Sequence, residues 1–335
     1  LRFCGLRSRG RLNVNLQLLR LLADGSFHSG AQLCEQLGVS RTTVWNQVRE
    51  MQAYGVEINS VRGRGYHITG GMDLLDEEHL RAQLEALGVL DHLDLLDLSV
   101  ISESTNLSAQ RASSTGHQRS LFVAEYQSGG RGRRGRTWAS PLGANLYFSL
   151  SWPFSGGVAS LEGLSLAVGV ALKRALAALH VEGVELKWPN DLLLDGRKLG
   201  GVLIEVGGDL SGDCSAVIGV GLNVAMPESA QLQIDQPWSD LTGRLPKGLT
   251  RSDLLAVVAK YLIEMLQQFG QSGFAGLQQE WETAHAFQNR PVKLILGDSR
   301  IDGLCLGVDR TGALRLKTAD GEQLFQGGEI SMRAN

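Results

Sequence analysis

The sequence predicts a multidomain α+β fold, with an N-terminal winged helix-turn-helix, a central mixed α/β domain and a small C-terminal β-barrel. Three observations predict it. Residues 14–70 carry short amphipathic helices, with a glycine turn before the third, and then a hairpin pattern. Residues 98–286 alternate strand and helix signals, and residues 287–335 are short strands separated by turn residues. Between the first two parts, residues 71–97 read as an acidic linker helix, and residues 1–13 as a disordered tail.

In chain order, Leu16, Leu18, Leu19 and Leu22 form the apolar stripe of a first helix that Asp24-Gly25 ends. A second helix starts after Ser29, runs through Ala31, Leu33, Cys34 and Leu37 and stops at Gly38; Ser40 then caps a third. Two helices joined by a tight glycine turn make a helix-turn-helix, whose second helix enters the major groove of DNA. Arg41, Thr42, Thr43, Asn46 and Gln47 are its polar residues able to reach DNA, whereas Val44, Val48 and Met51 supply the inward face and Trp45 suits either side. Alternating runs at 56–61 and 66–69 flank Arg62-Gly63-Arg64-Gly65, a wing whose two arginines can contact phosphate. Charge gives limited help. Residues 1–70 hold nine Lys+Arg against four Asp+Glu, but four of the arginines (Arg2, Arg7, Arg9, Arg11) lie in the tail, leaving the folded part near +1.

At 335 residues, 43% hydrophobic and 20% charged, the chain is long enough for two or three domains. Cys4, Cys34, Cys214 and Cys305 are too scattered for a disulfide framework or zinc site, and the seven histidines show no ligand spacing, so no protein-bound metal is expected. The most apolar stretch, 161–179, is interrupted by Glu162, Lys173 and Arg174, which argues against a membrane span, and the tail lacks the apolar stretch of a secretory signal. A cytoplasmic location follows as the expectation.

Leu80, Leu84 and Leu87 stripe the linker helix. Strands are expected at 98–101, 121–126, 145–152, 185–188, 199–206 and 214–222, with a helix opening at Ser104-Thr105-Asn106 and one long helix over 161–180. Gly130-Arg-Gly-Arg-Arg-Gly135 matches a dinucleotide fingerprint by letters, but Thr137–Pro141 leads to another strand rather than a helix, and no P-loop occurs. Arg131, Arg133, Arg134 and Arg136 instead make a cationic loop suited to carboxylate and phosphate oxygens. Lys187-Trp-Pro-Asn-Asp191 gathers a cation, an amide and a carboxylate at a strand end. Arg197-Lys198-Leu-Gly-Gly201 and Gly219-Val-Gly221-Leu-Asn223 place glycines where a ligand can approach the backbone closely.

Together with Glu103-Ser-Thr-Asn106 and Glu125-Tyr-Gln127, these motifs resemble the biotin protein ligases. With the N-terminal domain, the chain from about residue 13 is similar to the bifunctional bacterial kind that also represses the biotin operon. The resemblance implies a biotin site at Ser104, Thr105, Asn106, Gln127, Arg131, Gly132, Arg133, Lys198, Gly201 and Leu203. It implies ATP or adenylate beside Arg133, Arg134, Arg136, Trp138, Lys187, Asn190, Asn223 and Trp238, with Mg²⁺ on the triphosphate. Arg133, Lys187 and Lys198 would stabilise charge as the biotin carboxylate attacks the α-phosphorus. Asp191 would be either a base for the acceptor lysine or the group that holds Lys187. The Gly-Arg segment and residues 226–238 are the loop candidates for closure, with Trp238 over the adenine. The implied partners are the biotin carboxyl carrier protein of acetyl-CoA carboxylase, biotin operator DNA with the adenylate as co-repressor, and a second copy of the chain paired through edge strands near 201–206. The last fifty residues resemble the family's SH3-like domain. One departure is Lys198-Leu-Gly-Gly201, where the family often has Lys-Leu-Ala-Gly. A biotin-binding DNA sensor without catalysis and a lipoate ligase are the rival readings.

Overall fold

In the computed structural model the chain divides into two compact units, up to Met72 and from Asp73 onward. The structure describes residues 15–334 except 209–211, 229–233, 235, 298 and 328–329; the expected tail at 1–13 lies outside the described residues.

The first unit comprises α1 (Leu16–Leu22), α2 (Gly30–Leu37), α3 (Arg41–Ala53), β1 (Ile58–Val61) and β2 (Gly65–Ile68). Its helices begin where side chains satisfy the first free N–H groups. Asn15 Oδ1 accepts from Gln17 N and Leu18 N, Ser29 and Gln32 form a capping box, and Ser40 Oγ accepts from Thr43 N. Gly38, in the left-handed region at φ 65°, turns α2 into α3. Leu18, Leu19, Leu22, Leu33, Val44, Val48, Met51, Val56, Ile58 and Ile68 close the core. β1 and β2 pair antiparallel, and a bridge from His28 to Tyr66 seats the wing on the helices. A side chain at Gly65 would collide with the His28 carbonyl, so glycine is required there.

The second unit runs α4 (Glu77–Ala86), β3 (Leu95–Ser102), α5 (Thr105–Ser114), β4 (Ser120–Gln127), β5 (Leu146–Phe154), α6 (Leu164–Ala178), β6 (Val184–Lys187), β7 (Asp191–Leu194), β8 (Arg197–Gly208) and β9 (Cys214–Leu222). It continues with α7 (Arg251–Ser272), α8 (Gln278–Ala284), β10 (Pro291–Leu296), β11 (Ser299–Val308), β12 (Leu314–Thr318), β13 (Gly321–Phe325) and β14 (Ile330–Ala334). The acidic stretch read as a linker contributes Leu80 and Leu84 of α4 to the main core of this unit, where α4 packs on α7. Burying those leucines explains why the stretch folds with the second unit.

Seven strands form one sheet in the order β3-β4-β5-β9-β8-β7-β6, with β3 and β4 parallel and every other neighbour antiparallel. Helices α6 and α7 cover one face. The opposite face holds α5, whose Ala109 and Ala112 pack on Phe122 and Val217. The long helix expected over 161–180 begins only at Leu164, after a short 3₁₀ turn at Val158–Leu161. Helix α7 was not anticipated, although Thr250 and Asp253 form a capping box at its start. Trp188-Pro189-Asn190 is a turn, entered through a cis Trp188-Pro189 peptide, and Asp191 starts a new strand.

The C-terminal strands form a five-stranded antiparallel sheet in the order β13-β12-β11-β10-β14. Among the described residues no pairing joins β13 to β14, so the closed barrel expected from the turn spacing is found only as an open sheet. No helix among the described residues is long and apolar enough to cross a membrane.

Candidate active site

The sheet face that carries α5 opens into a cleft of about 1060 Å³, including its mouth. All ten residues expected at biotin line it: Ser104, Thr105, Asn106, Gln127, Arg131, Gly132, Arg133, Lys198, Gly201 and Leu203. Of those expected at ATP, Arg134, Arg136, Trp138, Lys187 and Asn190 also line it. The topology brings them together. Strand β4 delivers Gln127 and then the arginine loop, α5 begins at the cleft, the β6–β7 turn carries Lys187 to Asp191, and β8 and β9 form the floor.

At one end a chain of hydrogen bonds fixes the polar groups. Thr105 N and Oγ1 donate to Gln127 Oε1 at 2.9 and 3.2 Å. Ser149 Oγ, rising from buried β5, lies 2.7 Å from Thr105 Oγ1 and 2.5 Å from Asn106 Oδ1. Asn106 Nδ2 donates to Glu205 Oε2 at 2.7 Å. Ser149 and Glu205 were missed by the sequence reading. Serine at a buried position of a largely apolar strand was the available signal, because a buried hydroxyl needs a partner.

At the other end two lysines share one carboxylate. Lys198 Nζ lies 2.7 Å from Asp191 Oδ1 and Lys187 Nζ 3.5 Å from Oδ2. Burial alone would raise the Asp191 carboxyl, but the charges and hydrogen bonds of Lys198 and Lys187 outweigh it and hold the acid below its ordinary range. Burial lowers the Lys187 ammonium despite Asp191, so an incoming anion would relieve it. Arg133 donates to Asn190 Oδ1 at 3.1 Å and to the Gly327 carbonyl, while Asn190 Nδ2 donates to Val202 O at 2.6 Å. Arg134 Nη2 reaches Ile295 O at 3.4 Å, so the loop is tied to the C-terminal sheet as well. Arg134 itself sits in the left-handed region at φ 60°, ψ 35°.

The glycines expected to admit a ligand first make room for protein groups. A Cβ at Gly219 would strike Asn106 Oδ1, and one at Gly221 would strike the Trp138 indole. Trp138 lies over the floor with Lys198 Nζ 5.3 Å from a ring centroid. Its Nε1 is a buried donor with no partner among the described residues, which suits a nucleotide or acyl acceptor.

Two residues expected at the adenylate fall outside the cleft wall. The Asn223 amide is spent on Lys198 O at 3.3 Å and Ser239 O at 3.0 Å, and the Trp238 backbone bridges to Lys198. Part of the 226–238 loop candidate lies outside the described residues; of it, Gln236 lines the cleft. Met332 and Arg333 of the C-terminal sheet, not anticipated, also line it. For a divalent cation the fit is poor. Asp191 already has two ammonium partners, and no group of three His, Cys, Asp or Glu suited to a metal occurs among the described residues.

In the first unit, Arg41, Thr42 and Asn46 are exposed on α3. Thr43 and Gln47 are partly committed: Thr43 Oγ1 lies 2.9 Å from Ser40 Oγ at the helix cap, and Gln47 Oε1 accepts from Asn15 Nδ2 at 3.3 Å. Trp45 is 47% exposed with the Arg49 guanidinium 4.9 Å from its ring, so it stands outside the core, and Arg49 joins the candidate DNA face. On the wing Arg62 is exposed, and Arg64 stacks on Phe27 at 3.7 Å.

Comparison with known proteins agrees with this geometry. Residues 98–223 match the Biotin/lipoate A/B protein ligase family, 15–67 an HTH domain and 287–333 the Biotin protein ligase C terminal domain. The Bifunctional ligase/repressor BirA of Escherichia coli (strain K12) is 38% identical over 323 residues, covering 96% of this chain and 98% of that protein. The Biotin--[acetyl-CoA-carboxylase] ligase of Paracoccus denitrificans is 29% identical over 68% of this chain and 97% of its own. The solved biotin protein ligase from Aquifex aeolicus in complex with biotin and ATP superposes with a TM-score of 0.61 at 28% identity, covering 72% of this chain and all of that one. With its cleft, its helix-turn-helix and a near full-length likeness above the level that marks kinship, the chain belongs to the bifunctional biotin ligase/repressor family.

Proposed function

We propose that the chain joins biotin to ATP to form biotinyl-5′-AMP, passes the biotinyl group to a lysine of the biotin carboxyl carrier protein, and represses the biotin operon with the adenylate as co-repressor. One observation carries the catalytic reading. A cleft walled by Arg131, Arg133, Arg134, Arg136, Lys187 and Lys198 has a buried indole donor on its floor and a network of amides and hydroxyls at one end. That is the chemistry needed to seat a ureido ring, a carboxylate and a polyphosphate together.

In the first step a biotin carboxylate oxygen bonds to the α-phosphorus as the bond to the β-phosphate oxygen breaks, releasing pyrophosphate. Two anions must approach and a third must leave. Lys198 and Arg133 are placed to neutralise the carboxylate and α-phosphate, and Lys187, with Arg134 and Arg136, to receive the departing charge. Asp191 acts here as an orienter. Held below its ordinary acidity range between two ammonium groups, it is a weak base and a strong positioning group. In the second step the acceptor amine attacks the acyl carbon and AMP leaves. Mg²⁺ would ride on the triphosphate oxygens of the nucleotide, because the carboxylate of Asp191 is held by the ammonium groups of Lys187 and Lys198.

Arg41, Thr42, Asn46 and Arg49 on α3, with Arg62 on the wing, form the DNA face. Homodimerisation would use β8. Strand β7 pairs with it as far as Gly201, and Val202 N donates to Asn190 O. Among the described residues, the unpaired edge therefore starts at Leu203, two residues later than the start of the 201–206 stretch expected, and Val206 on it is 42% exposed. The C-terminal sheet is proposed as a half-open SH3-like barrel supporting nucleotide and acceptor, and the cytoplasm as the setting. Biotin-dependent exchange of labelled pyrophosphate into ATP tests the catalytic reading. Biotin binding without exchange would leave only a sensor, and exchange driven better by lipoate would reassign the acid.

A further inference from the structure

Glu205 stands on β8 just behind the cleft wall, two residues beyond Leu203, and neither the motifs nor the spacing of the sequence single it out. Its carboxylate serves two parts of the site at once. Oε2 accepts from Asn106 Nδ2 at 2.7 Å, and Oε1 lies 3.2 Å from the Arg131 guanidinium, which also reaches Oε2 at 3.4 Å. The first contact orients an amide. A carboxylate accepts only, so Asn106 must turn its NH₂ toward Glu205 and its oxygen toward Ser149, and a flipped amide would set oxygen against oxygen. The second contact holds a loop. Arg131 opens the Gly130–Arg136 turn, whose backbone closes on itself through Gly132 N to Arg136 O and the bridge from Arg131 to Thr137. Arg133 and Arg134 tie the far side of that turn to Gly327 and Ile295, whereas Arg131 ties its near side to the sheet floor.

We propose that Glu205 is a positioning residue of the ligase site: by holding Arg131 it keeps the arginine loop closed over the acyl end of the cleft, and by holding Asn106 it fixes the ring end. Its chief effect is retention of the reactive mixed anhydride. A loop released at Arg131 admits water, which attacks the acyl carbon, breaks the acyl–oxygen bond and yields free carboxylate and AMP; it also lets the intact adenylate escape. The inference rests on the ligase reading.

The two contacts can be separated. Glu205→Gln keeps an acceptor for Asn106 but discharges the partner of Arg131, whereas Glu205→Ala removes both. With biotin and MgATP but no acceptor protein, Glu205→Gln should release adenylate and AMP about three- to fivefold faster than the wild type, the range expected of a half-exposed ion pair. Arg131→Gln should raise release by a similar factor, with no further rise in the double variant. Glu205→Ala should add an increase in KM for biotin that the glutamine variant lacks. Equal retention in Glu205→Gln and wild type, or multiplicative effects of the two glutamine substitutions, would overturn the proposal. Absence of exchange in the wild type would instead remove the ligase reading beneath it, so the two failures are distinguishable.

Discussion

Lowering the pH from 7 to 4.5 should cost the second unit about 2 kcal/mol of stability through one imidazole, that of His285. The ring is 6% exposed, stacks on Trp281 at 4.5 Å, and has a buried Nε2 with no partner among the described residues. Burial holds its pKa down to about 4, from an ordinary 6.5, and the nearby Gln288 side chain opposes that only in part. In the unfolded chain the same ring protonates below about 6.5. Between the two values the unfolded state binds more protons, so stability rises with pH there, is complete above about 6.5 and is lost as pH falls toward 4. Integrating one site between pH 7 and 4.5 gives the ~2 kcal/mol. The location makes this functional. Leu186 of β6 bridges to His285, and the Cys305 thiol of β11 lies 3.8 Å from Nδ1, so the ring stands where the ligase sheet meets the C-terminal sheet that braces Arg133 and Arg134. Urea unfolding across pH 4.5–7 of wild type and His285→Phe measures the difference. The variant keeps the stack and removes the orphan nitrogen, so curves matched at pH 7 should separate as the pH falls, the wild type losing about 2 kcal/mol more than the variant by pH 4.5. Parallel curves across that range would refute the reasoning.

Other outcomes follow from the cleft. Gly219→Ala drives a methyl group into Asn106 Oδ1 and should raise KM for biotin at least about tenfold while leaving KM for ATP nearly unchanged, measured by pyrophosphate exchange. Asp191→Asn leaves Lys187 and Lys198 without their counter-charge; adenylation should fall by about two orders of magnitude, with a loss on the order of 3 kcal/mol in the urea assay. Because the wild-type carboxyl is held below its ordinary range, no activity limb from Asp191 should appear above about pH 4.

The parts of this protein encoded locally were legible in its sequence. Asn15, Ser29, Gly38 and Ser40 mark the helix ends of the first unit through contacts within three or four residues, and the structure has the helices there. The motifs read as a candidate site were also local, and Ser104, Gln127, Arg133, Lys187 and Lys198 all line one cleft. What escaped was set by pairing across long separations. Glu125 on β4 forms a buried ion pair with Arg251 at 2.7 Å and accepts from Leu75 N, contacts that no spacing announces. Glu205 meets Asn106 and Arg131 only because β8 lies across from α5. Asn223, which the resemblance puts near the adenylate, donates its Nδ2 to Lys198 O and Ser239 O, a pairing across 25 and 16 residues that no local spacing announces. Helix α7 is announced locally by the capping pair Thr250 and Asp253.

The cation-rich wall also bears on which way the reaction runs. Among the described residues, Arg131, Arg133, Arg134, Arg136, Lys187, Lys198 and Arg333 line the cleft, against the one carboxylate of Asp191. Such a wall cannot tell an arriving polyphosphate from a leaving one. On the proposed roles, the charges that would speed adenylation would equally favour pyrophosphate recapture and the reverse reaction. Net flux would then depend on an outside drain, hydrolysis of pyrophosphate or prompt capture of the acyl group by the acceptor lysine.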